Sequence, residues 1–194
     1  MNQAVTDLIL ASTSPYRASL LRRLCLPFKI ITPDYTEIPA DKFPASRVVR
    51  LNTLGKAYSV LQARPGCIVI ASDQLAVCDG KALGKPGTEA KACKQLLRLS
   101  GSSVDFLTGL AVLSGSHEYY EEIPFRVHFR KLSRTEIKTY VRLEMPLDCA
   151  GSFKIEGLGI SLFERLEGED PTALMGLPLI RLSHYLKPLS LPRS

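Results

Sequence analysis

The run Cys67–Ala71 constrains the fold of this 194-residue chain more than any other segment. It consists of five consecutive small or β-branched apolar residues, bounded by Pro65-Gly66 on one side and by Asp73 on the other. A short apolar run between such boundaries predicts a buried strand. Functional side chains of open α/β sheets collect where strands of this kind end, and the chain continues here with Ser72-Asp73-Gln74.

Strands and helices alternate along the rest of the chain. We predict strands over residues 8–11, 28–31, 75–77, 82–83, 104–113, 119–129 and 160–166, with a hairpin turn at Asp79-Gly80 between the strands 75–77 and 82–83. We predict a helix that begins at Pro15, a helix over 45–63 with Leu51 and Leu54 among the residues of its apolar face, and a helix capped by Thr88 that runs to about Leu99. A capping box at Ser133–Glu136 opens a fourth helix that ends near 143, and a fifth follows 176–178 and ends near 186. The long antiparallel pair 104–113 and 119–129 interrupts the alternation, which predicts an α/β fold with a mixed sheet and flanking helices. Length indicates a single domain over residues 1–194, with a loose Pro-rich tail from about Lys187.

Composition excludes several classes of protein. No apolar run approaches the roughly 18 residues of a membrane-spanning helix, and the polar N-terminus does not resemble a signal peptide. Five scattered cysteines without a C-x-x-C pair indicate reduced thiols and a cytoplasmic protein. The net charge of +6 suits either an anionic ligand or mere solubility, and without a run of like charges nucleic acid is not an expected partner. Three isolated histidines, His117, His128 and His184, do not form a zinc motif.

The segment Ser12-Thr13-Ser14-Pro15-Tyr16-Arg17 joins the first predicted strand to the first helix. Free N–H groups at a helix start, three hydroxyls and one guanidinium suit a phosphate group. The alternative is that Ser14 only caps the helix and Arg17 is solvated on its first turn.

Two further segments carry charge at restrained positions. Asp73 follows the buried strand, where it either holds Mg²⁺ and activates water or merely terminates the strand and caps a turn. Lys85 lies between Gly84 and Pro86-Gly87, on a restrained loop. Its ammonium group either binds a phosphate or is simply solvated. The spacing is not that of a Walker motif.

The segment Ala150–Gly157 carries polar residues at alternate positions. In an extended conformation Ser152, Lys154 and Glu156 would point to one side. A carboxylate there accepts two N–H bonds from the edge of a guanine, or forms a surface ion pair on an exposed strand.

Together these segments resemble the Maf family of nucleotide pyrophosphatases. The resemblance runs from Leu8 to about Leu182, and its most specific parts are Leu10–Pro15, Ser72–Gln74, Gly84–Pro86, Gly151–Gly157 and Gly176–Pro178. It implies an elongated two-lobed fold like that of the inosine triphosphate pyrophosphatases, with a cleft between the lobes, and a homodimer. It also implies hydrolysis of the α–β phosphoanhydride of a nucleoside triphosphate, assisted by Mg²⁺, Mn²⁺ or Co²⁺.

The same resemblance assigns roles to individual residues. Asp73 is the expected catalytic carboxylate and, with Glu37, the expected metal ligand. The expected phosphate-binding residues are Ser12, Arg17, Lys56 and Lys85. Several fixed cations suit a polyanion, and a carboxylate–metal pair suits the attacking water.

Three positions indicate the base. Tyr16, Gln74 and Glu156, with Lys154 in support, resemble the branch of the family that hydrolyses 7-methyl-GTP. An aromatic face attracts the positive ring of 7-methylguanine, and Glu156 accepts hydrogen bonds from its N1–H and 2-amino groups. Because tyrosine replaces the tryptophan expected at position 16, a broader nucleotide pyrophosphatase is one alternative. A non-catalytic regulator that binds nucleotides or nucleic acid is the other.

Overall fold

The computed structural model describes residues 7–189. Within them lie seven strands and five α-helices. The strands are β1 (Leu8–Ala11), β2 (Lys29–Ile31), β3 (Ile68–Cys78), β4 (Lys81–Leu83), β5 (Ser103–Leu113), β6 (Glu118–Phe129) and β7 (Phe163–Glu167). The helices are α1 (Pro15–Arg22), α2 (Ala45–Ala63), α3 (Glu89–Leu99), α4 (Arg134–Glu144) and α5 (Leu179–Leu186).

The strands form one mixed sheet, which confirms the predicted fold class. Its order among the described residues is β2-β1-β3-β5-β6-β7, and β4 pairs with β3. β1 runs parallel to both β2 and β3, whereas the pairs β3–β4 and β6–β7 are antiparallel. No helix of residues 7–189 has the length and apolar character needed to cross a membrane.

The chain divides into two compact units. The first comprises the described residues up to Gln74, Thr108–Ile123 and the residues from Asp170 onward. The second comprises Leu75–Leu107 and Pro124–Glu169.

In the first unit the sheet separates two hydrophobic clusters. Alternate residues of β1 and β3, among them Leu10 and Ile70, pack against α1 and α5. The residues between them, among them Ala11 and Val69, pack against α2. Because successive side chains of a strand point to opposite faces, the two apolar runs supply both clusters at once.

In the second unit four aromatic rings form the centre of the packing. Phe153 makes edge-to-face contacts with Phe106, Phe129 and Phe163, at centroid distances of 4.8–5.8 Å. Phe129 and Phe163 also meet edge to face at 4.9 Å. This geometry places the positive edge of one ring on the negative face of the next, and all four rings are buried or partly buried.

Two predicted element boundaries are wrong. Ile160 does not begin a strand, because Leu158–Leu162 forms a 3₁₀ helix and β7 starts only at Phe163. Asp73 does not end its strand, because β3 continues to Cys78 and pairs there with β4. The predicted loose tail lies mainly in residues 190–194, outside the described part of the chain.

Candidate active site

Two carboxylates of the first unit meet at the ammonium group of Lys56. The Lys56 Nζ atom lies 2.7 Å from Asp73 Oδ1 and 2.5 Å from Glu37 Oε1. Lys56 and Asp73 are each 7% exposed, whereas the Glu37 side chain is 61% exposed. A buried ammonium requires a paired anion, which Asp73 supplies from inside, while Glu37 carries the second negative charge toward solvent.

Strand pairing places Asp73 at this position. Leu10 of β1 pairs with Ile70 of β3, and β1 ends one residue later at Ala11. Asp73 therefore lies just beyond the parallel part of the sheet, although its own strand continues. Ligands of α/β sheets bind at this carboxyl edge. Asp73 therefore lies at the edge where the sequence placed it, although its strand does not end there.

Asn52 connects Asp73 to the loop that carries Glu37, and it was not predicted from the sequence. Its Nδ2 donates to Asp73 Oδ2 at 3.3 Å and to the carbonyl of Ile38 at 3.2 Å. Its Oδ1 accepts from the Ile38 N–H at 2.8 Å and from the Tyr35 hydroxyl at 3.4 Å. One buried amide thus holds Asp73 and the loop that carries Glu37. Its position four residues before Lys56, on the same face of α2, is the signal that could have identified it.

The start of α1 combines a cap with a buried hydroxyl. Ser14 caps the helix by accepting from the Arg17 N–H at 3.4 Å, and Pro15 occupies the first helical position, as predicted. Ser12 is buried, and its Oγ accepts from the Ser14 N–H at 3.1 Å. Tyr16 is partly buried on the first turn of the helix.

Arg17 reaches from this helix toward the same carboxylates. Its Nε donates to the carbonyl of Gly176 at 2.9 Å, and the Ser72 hydroxyl donates to the same oxygen at 2.8 Å. Burial lowers the pKa of Arg17, and the negative charges of Asp73 and Glu37 act to raise it. The first unit contains five of the predicted site residues, namely Ser12, Arg17, Glu37, Lys56 and Asp73. Both carboxylates act electrostatically on Arg17 and form ion pairs with Lys56.

The amide nitrogen of Gln74 is engaged in hydrogen bonds within the fold. Its Nε2 donates to Ala173 O at 2.7 Å and to Thr108 Oγ1 at 2.9 Å. The Thr108 hydroxyl donates in turn to Ala173 O at 3.0 Å. A primary amide has two N–H donors, so the Gln74 carbonyl oxygen is the group left to face a ligand.

A buried carboxylate fixes the segment that contains Gly176. Asp170 is 1% exposed, and its two oxygens accept from the Thr172 N–H and hydroxyl and from the Ile180 N–H, at 2.6–2.9 Å. Thr172 Oγ1 accepts from the Leu179 N–H at 2.7 Å. These side chains satisfy the first N–H groups of α5, which Pro178 cannot cap, and thereby hold the preceding turn.

The other three predicted site residues belong to the second unit. Lys85 is exposed on the loop after β4. Lys154 is partly buried, with its Nζ donating to the carbonyl of Glu144 at 3.0 Å, and Glu156 is exposed.

Residues 150–157 do not adopt the extended conformation that would place Ser152, Lys154 and Glu156 on one side. Gly151 and Ser152 adopt positive φ angles of 79° and 61°, so the backbone makes a tight turn here instead of running extended. Ser152 is fully buried and donates to Gln95 Oε1. Ser152 therefore does not share a face with the exposed Glu156.

The donor set of the site fits a hard divalent cation. Asp73 and Glu37 provide carboxylate oxygens, which Mg²⁺ and Mn²⁺ prefer. No group of three or more His, Cys, Asp or Glu side chains within residues 7–189 could hold a metal alone. Two carboxylates suffice where water and substrate phosphates complete the coordination, as is usual for Mg²⁺.

Comparison with known proteins agrees with this architecture. Residues 7–189 match the family model described as Maf-like protein. A Pseudomonas aeruginosa protein named 7-methyl-GTP pyrophosphatase is 53% identical over 182 residues, which cover 93% of this chain and 95% of that relative. An Alkalilimnicola ehrlichii protein of the same name is 52% identical over 181 residues, covering 92% and 91%. The chain belongs to the Maf family.

Proposed function

We propose that this chain is a hydrolase that cleaves the α–β phosphoanhydride of 7-methyl-GTP, releasing 7-methyl-GMP and pyrophosphate. The two relatives that share more than half of its residues carry the name of that activity. The observation that carries the proposal is the buried pair of Asp73 and Lys56, with Glu37 on the same ammonium group. Buried ion pairs contribute little to the stability of a fold. A charged group of this kind at the carboxyl edge of a sheet is therefore better explained by a role in phosphate chemistry.

In the proposed reaction Asp73 accepts the proton of the attacking water. The oxygen of that water forms a bond to the α-phosphorus. The bond from the α-phosphorus to the oxygen that bridges it to the β-phosphorus breaks, and pyrophosphate leaves with the electron pair. Lys56 donates to one oxygen of Asp73, and Asn52 donates to the other, so both oxygens of the carboxylate are held in position. A positioned base near the reacting water supplies about 10²–10⁴-fold in rate.

Fixed cations stabilise the developing charge. Arg17 is anchored through Nε to Gly176, which leaves its terminal nitrogens to meet phosphate oxygens. Lys56 supplies a second cation, and the Ser12 hydroxyl and Lys85 complete the proposed phosphate-binding set. Cations already in place cost no reorganisation when charge develops, which is the largest advantage an enzyme of this type has.

A divalent cation, Mg²⁺, Mn²⁺ or Co²⁺, is proposed as the cofactor, with Asp73 and Glu37 as the residues that would hold it. When bound, it neutralises phosphate oxygens and lowers the pKa of water. Glu37 suits this role because its side chain is open to solvent, so an ion can displace its contact with Lys56.

Recognition of the base is proposed to depend on three side chains. The ring of Tyr16 would stack on the positively charged 7-methylguanine, and Glu156, supported by Lys154, would accept from its N1–H and 2-amino groups. Gln74 would contribute through its carbonyl oxygen, since its amide nitrogen is engaged by Thr108 and Ala173.

The test is pyrophosphate release from a panel of nucleoside triphosphates, with each divalent cation and with chelator. We expect metal-dependent release that favours 7-methyl-GTP. Equal turnover of several bases would establish the broader pyrophosphatase instead. No release from any nucleotide would favour the binding regulator.

Two sets of variants locate the chemistry. Asp73→Asn and Asp73→Ala should remove turnover without loss of cooperative thermal unfolding, and unimpaired hydrolysis by either would show that another group is the base. Tyr16→Arg combined with Glu156→Gln should lower the ratio of 7-methyl-GTP to GTP turnover. An unchanged ratio would exclude these two positions from base recognition.

The cytoplasm is the proposed compartment, in agreement with five cysteines that are all free thiols. A homodimer is the proposed assembly, to be measured by sedimentation equilibrium.

A further inference from the structure

A row of exposed cations lies on each of two packed helices of the second unit. Lys91, Lys94 and Arg98 of α3 are exposed at positions i, i+3 and i+7, which share one face of a helix. Arg134, Lys138 and Arg142 of α4 are exposed at i, i+4 and i+8. The two helices pack against each other, so both rows belong to one surface, which we call the α3–α4 surface.

The two helices carry six exposed cations against three carboxylates, Glu89 on the first turn of α3 and Glu136 and Glu144 on α4. Among its cations only Arg98 has an acidic partner within the described residues, Asp79 at 4.0 Å. Glu136 of α4 is engaged elsewhere, by the Ser133 N–H and by Arg130. Glu144 accepts from the Leu158 N–H. Unpaired charges of one sign create a field that attracts an oppositely charged partner.

An apolar groove runs between the two rows. It has a volume of about 260 Å³, and its lining includes Cys93, Leu97 and Ile137. Lys94 stands on one side of it and Arg134 and Lys138 on the other. Leu97 is 39% exposed, whereas Leu96 and Leu99 of the same helix are fully buried, so its side chain is open to a partner that enters the groove.

We propose that the α3–α4 surface binds an acidic amphipathic helix of another protein. The groove would take apolar side chains spaced at i and i+4, and the two rows of cations would pair with Glu or Asp on both sides of that stripe. This interaction is independent of the proposed hydrolysis, because none of these residues belongs to the candidate active site.

Two other occupants fit less well. Single-stranded nucleic acid is usually held by cations together with aromatic stacking platforms, and the six residues that line this groove include no aromatic side chain. A symmetric dimer through this face would oppose like charges, because an isologous interface brings the same patch together from both copies.

The test uses a fluorescein-labelled 18-residue peptide with Leu at i, i+4, i+7 and i+11 and Glu on the flanking positions. Its binding to the full-length protein is measured by fluorescence polarisation at several salt concentrations, beside a scrambled peptide of the same composition. We expect saturable binding of the patterned peptide that weakens with salt, and at least about tenfold weaker binding of the scrambled one.

Variants then locate the interaction. The charge reversal K94E/R134E/K138E should weaken binding at least about tenfold, and Leu97→Ser should weaken it with an unchanged salt dependence. The control R22E/R23E/K42E makes the same change in net charge on exposed residues of the first unit and should leave binding intact. Pyrophosphate release should be the same in all of them.

Three outcomes would overturn the proposal. Equal binding of both peptides, or equal losses in the two triple variants, would show a non-specific response to net charge. Tighter binding of single-stranded DNA than of the patterned peptide, removed by K94E/R134E/K138E, would make the surface a nucleic-acid site. Self-association that the same variant abolishes would make it an interface between copies.

Discussion

Asn52→Ala should remove both functions of the buried amide, which holds Asp73 and holds the loop that carries Glu37. Asn52 is 3% exposed and makes four hydrogen bonds, of which the shortest, at 2.8 Å, is to the Ile38 N–H. The substitution leaves the Ile38 N–H and carbonyl and one Asp73 oxygen without this partner. At about 1 kcal/mol for each of two to four bonds, the free energy of unfolding should fall by about 2–4 kcal/mol. For a chain of this length that lowers Tm by about 5–15 °C.

The effect on catalysis should exceed the effect on substrate binding. Loss of the amide lets Asp73 and the Glu37 loop shift, and small displacements of reacting groups cost up to about 100-fold in rate. We therefore expect kcat to fall about 10- to 100-fold while KM changes little. Urea unfolding and steady-state pyrophosphate release measure the two quantities on the same preparation.

Thr53→Val is the matched control for this experiment. Thr53 is the next residue on α2 and is fully buried, but its Oγ1 has no hydrogen-bond partner within the described residues. Replacing an unpartnered hydroxyl with a methyl group should leave the free energy of unfolding unchanged or raise it by up to about 1 kcal/mol. If Asn52→Ala were as mild as Thr53→Val in both stability and kcat, the amide would not be what holds the loop.

Three further predictions follow from local geometry. Glu136→Gln should lower Tm at pH 7 but not near pH 2, because the Ser133 backbone N–H holds the pKa of this carboxyl at about 2; the ionised form stabilises the fold fully above about pH 4.5, and that contribution is lost as pH falls toward 2. Gly55→Ala, which usually stabilises a helix by about 1 kcal/mol, should destabilise in urea because its methyl would overlap the Tyr35 ring. Gly176→Ala should cost about 1–2 kcal/mol in the same assay, since the backbone there has a φ of +98°.

Local signals were sufficient for most of the fold. The caps at Ser14, Thr88 and Ser133 were predicted from sequence, and each accepts the expected backbone N–H. The Asp79-Gly80 hairpin was also predicted, and both residues adopt the positive φ that such a turn requires. These features depend on a few neighbouring residues, so the sequence contains all the information that they need.

The buried face of α2 shows why part of the site could not be predicted. Helical spacing assigned Leu51 and Leu54 to this face, but both are only partly buried, whereas Asn52, Thr53 and Lys56 are buried. The face is rotated because polar residues there bind a carboxylate from a distant strand. Hydrophobic periodicity places polar residues outside, so it fails where a buried ion pair replaces an apolar contact.

The charges of the site themselves predict how metal and substrate depend on each other. Arg17 and Lys56 balance Asp73 and Glu37, so the four groups are formally neutral and offer a triphosphate no net attraction. A bound divalent cation would make the net charge of the site positive, so that it attracts the triphosphate.

Asp73→Asn should make the net charge positive without metal, because one cation is then unopposed. We expect this variant to bind nucleotide about tenfold tighter than the wild-type protein in chelator, by calorimetry. Glu37→Gln should gain less, since the Glu37 side chain is 61% exposed and its charge is screened. Equal affinities of variant and wild type without metal would mean that the phosphates do not meet these four groups.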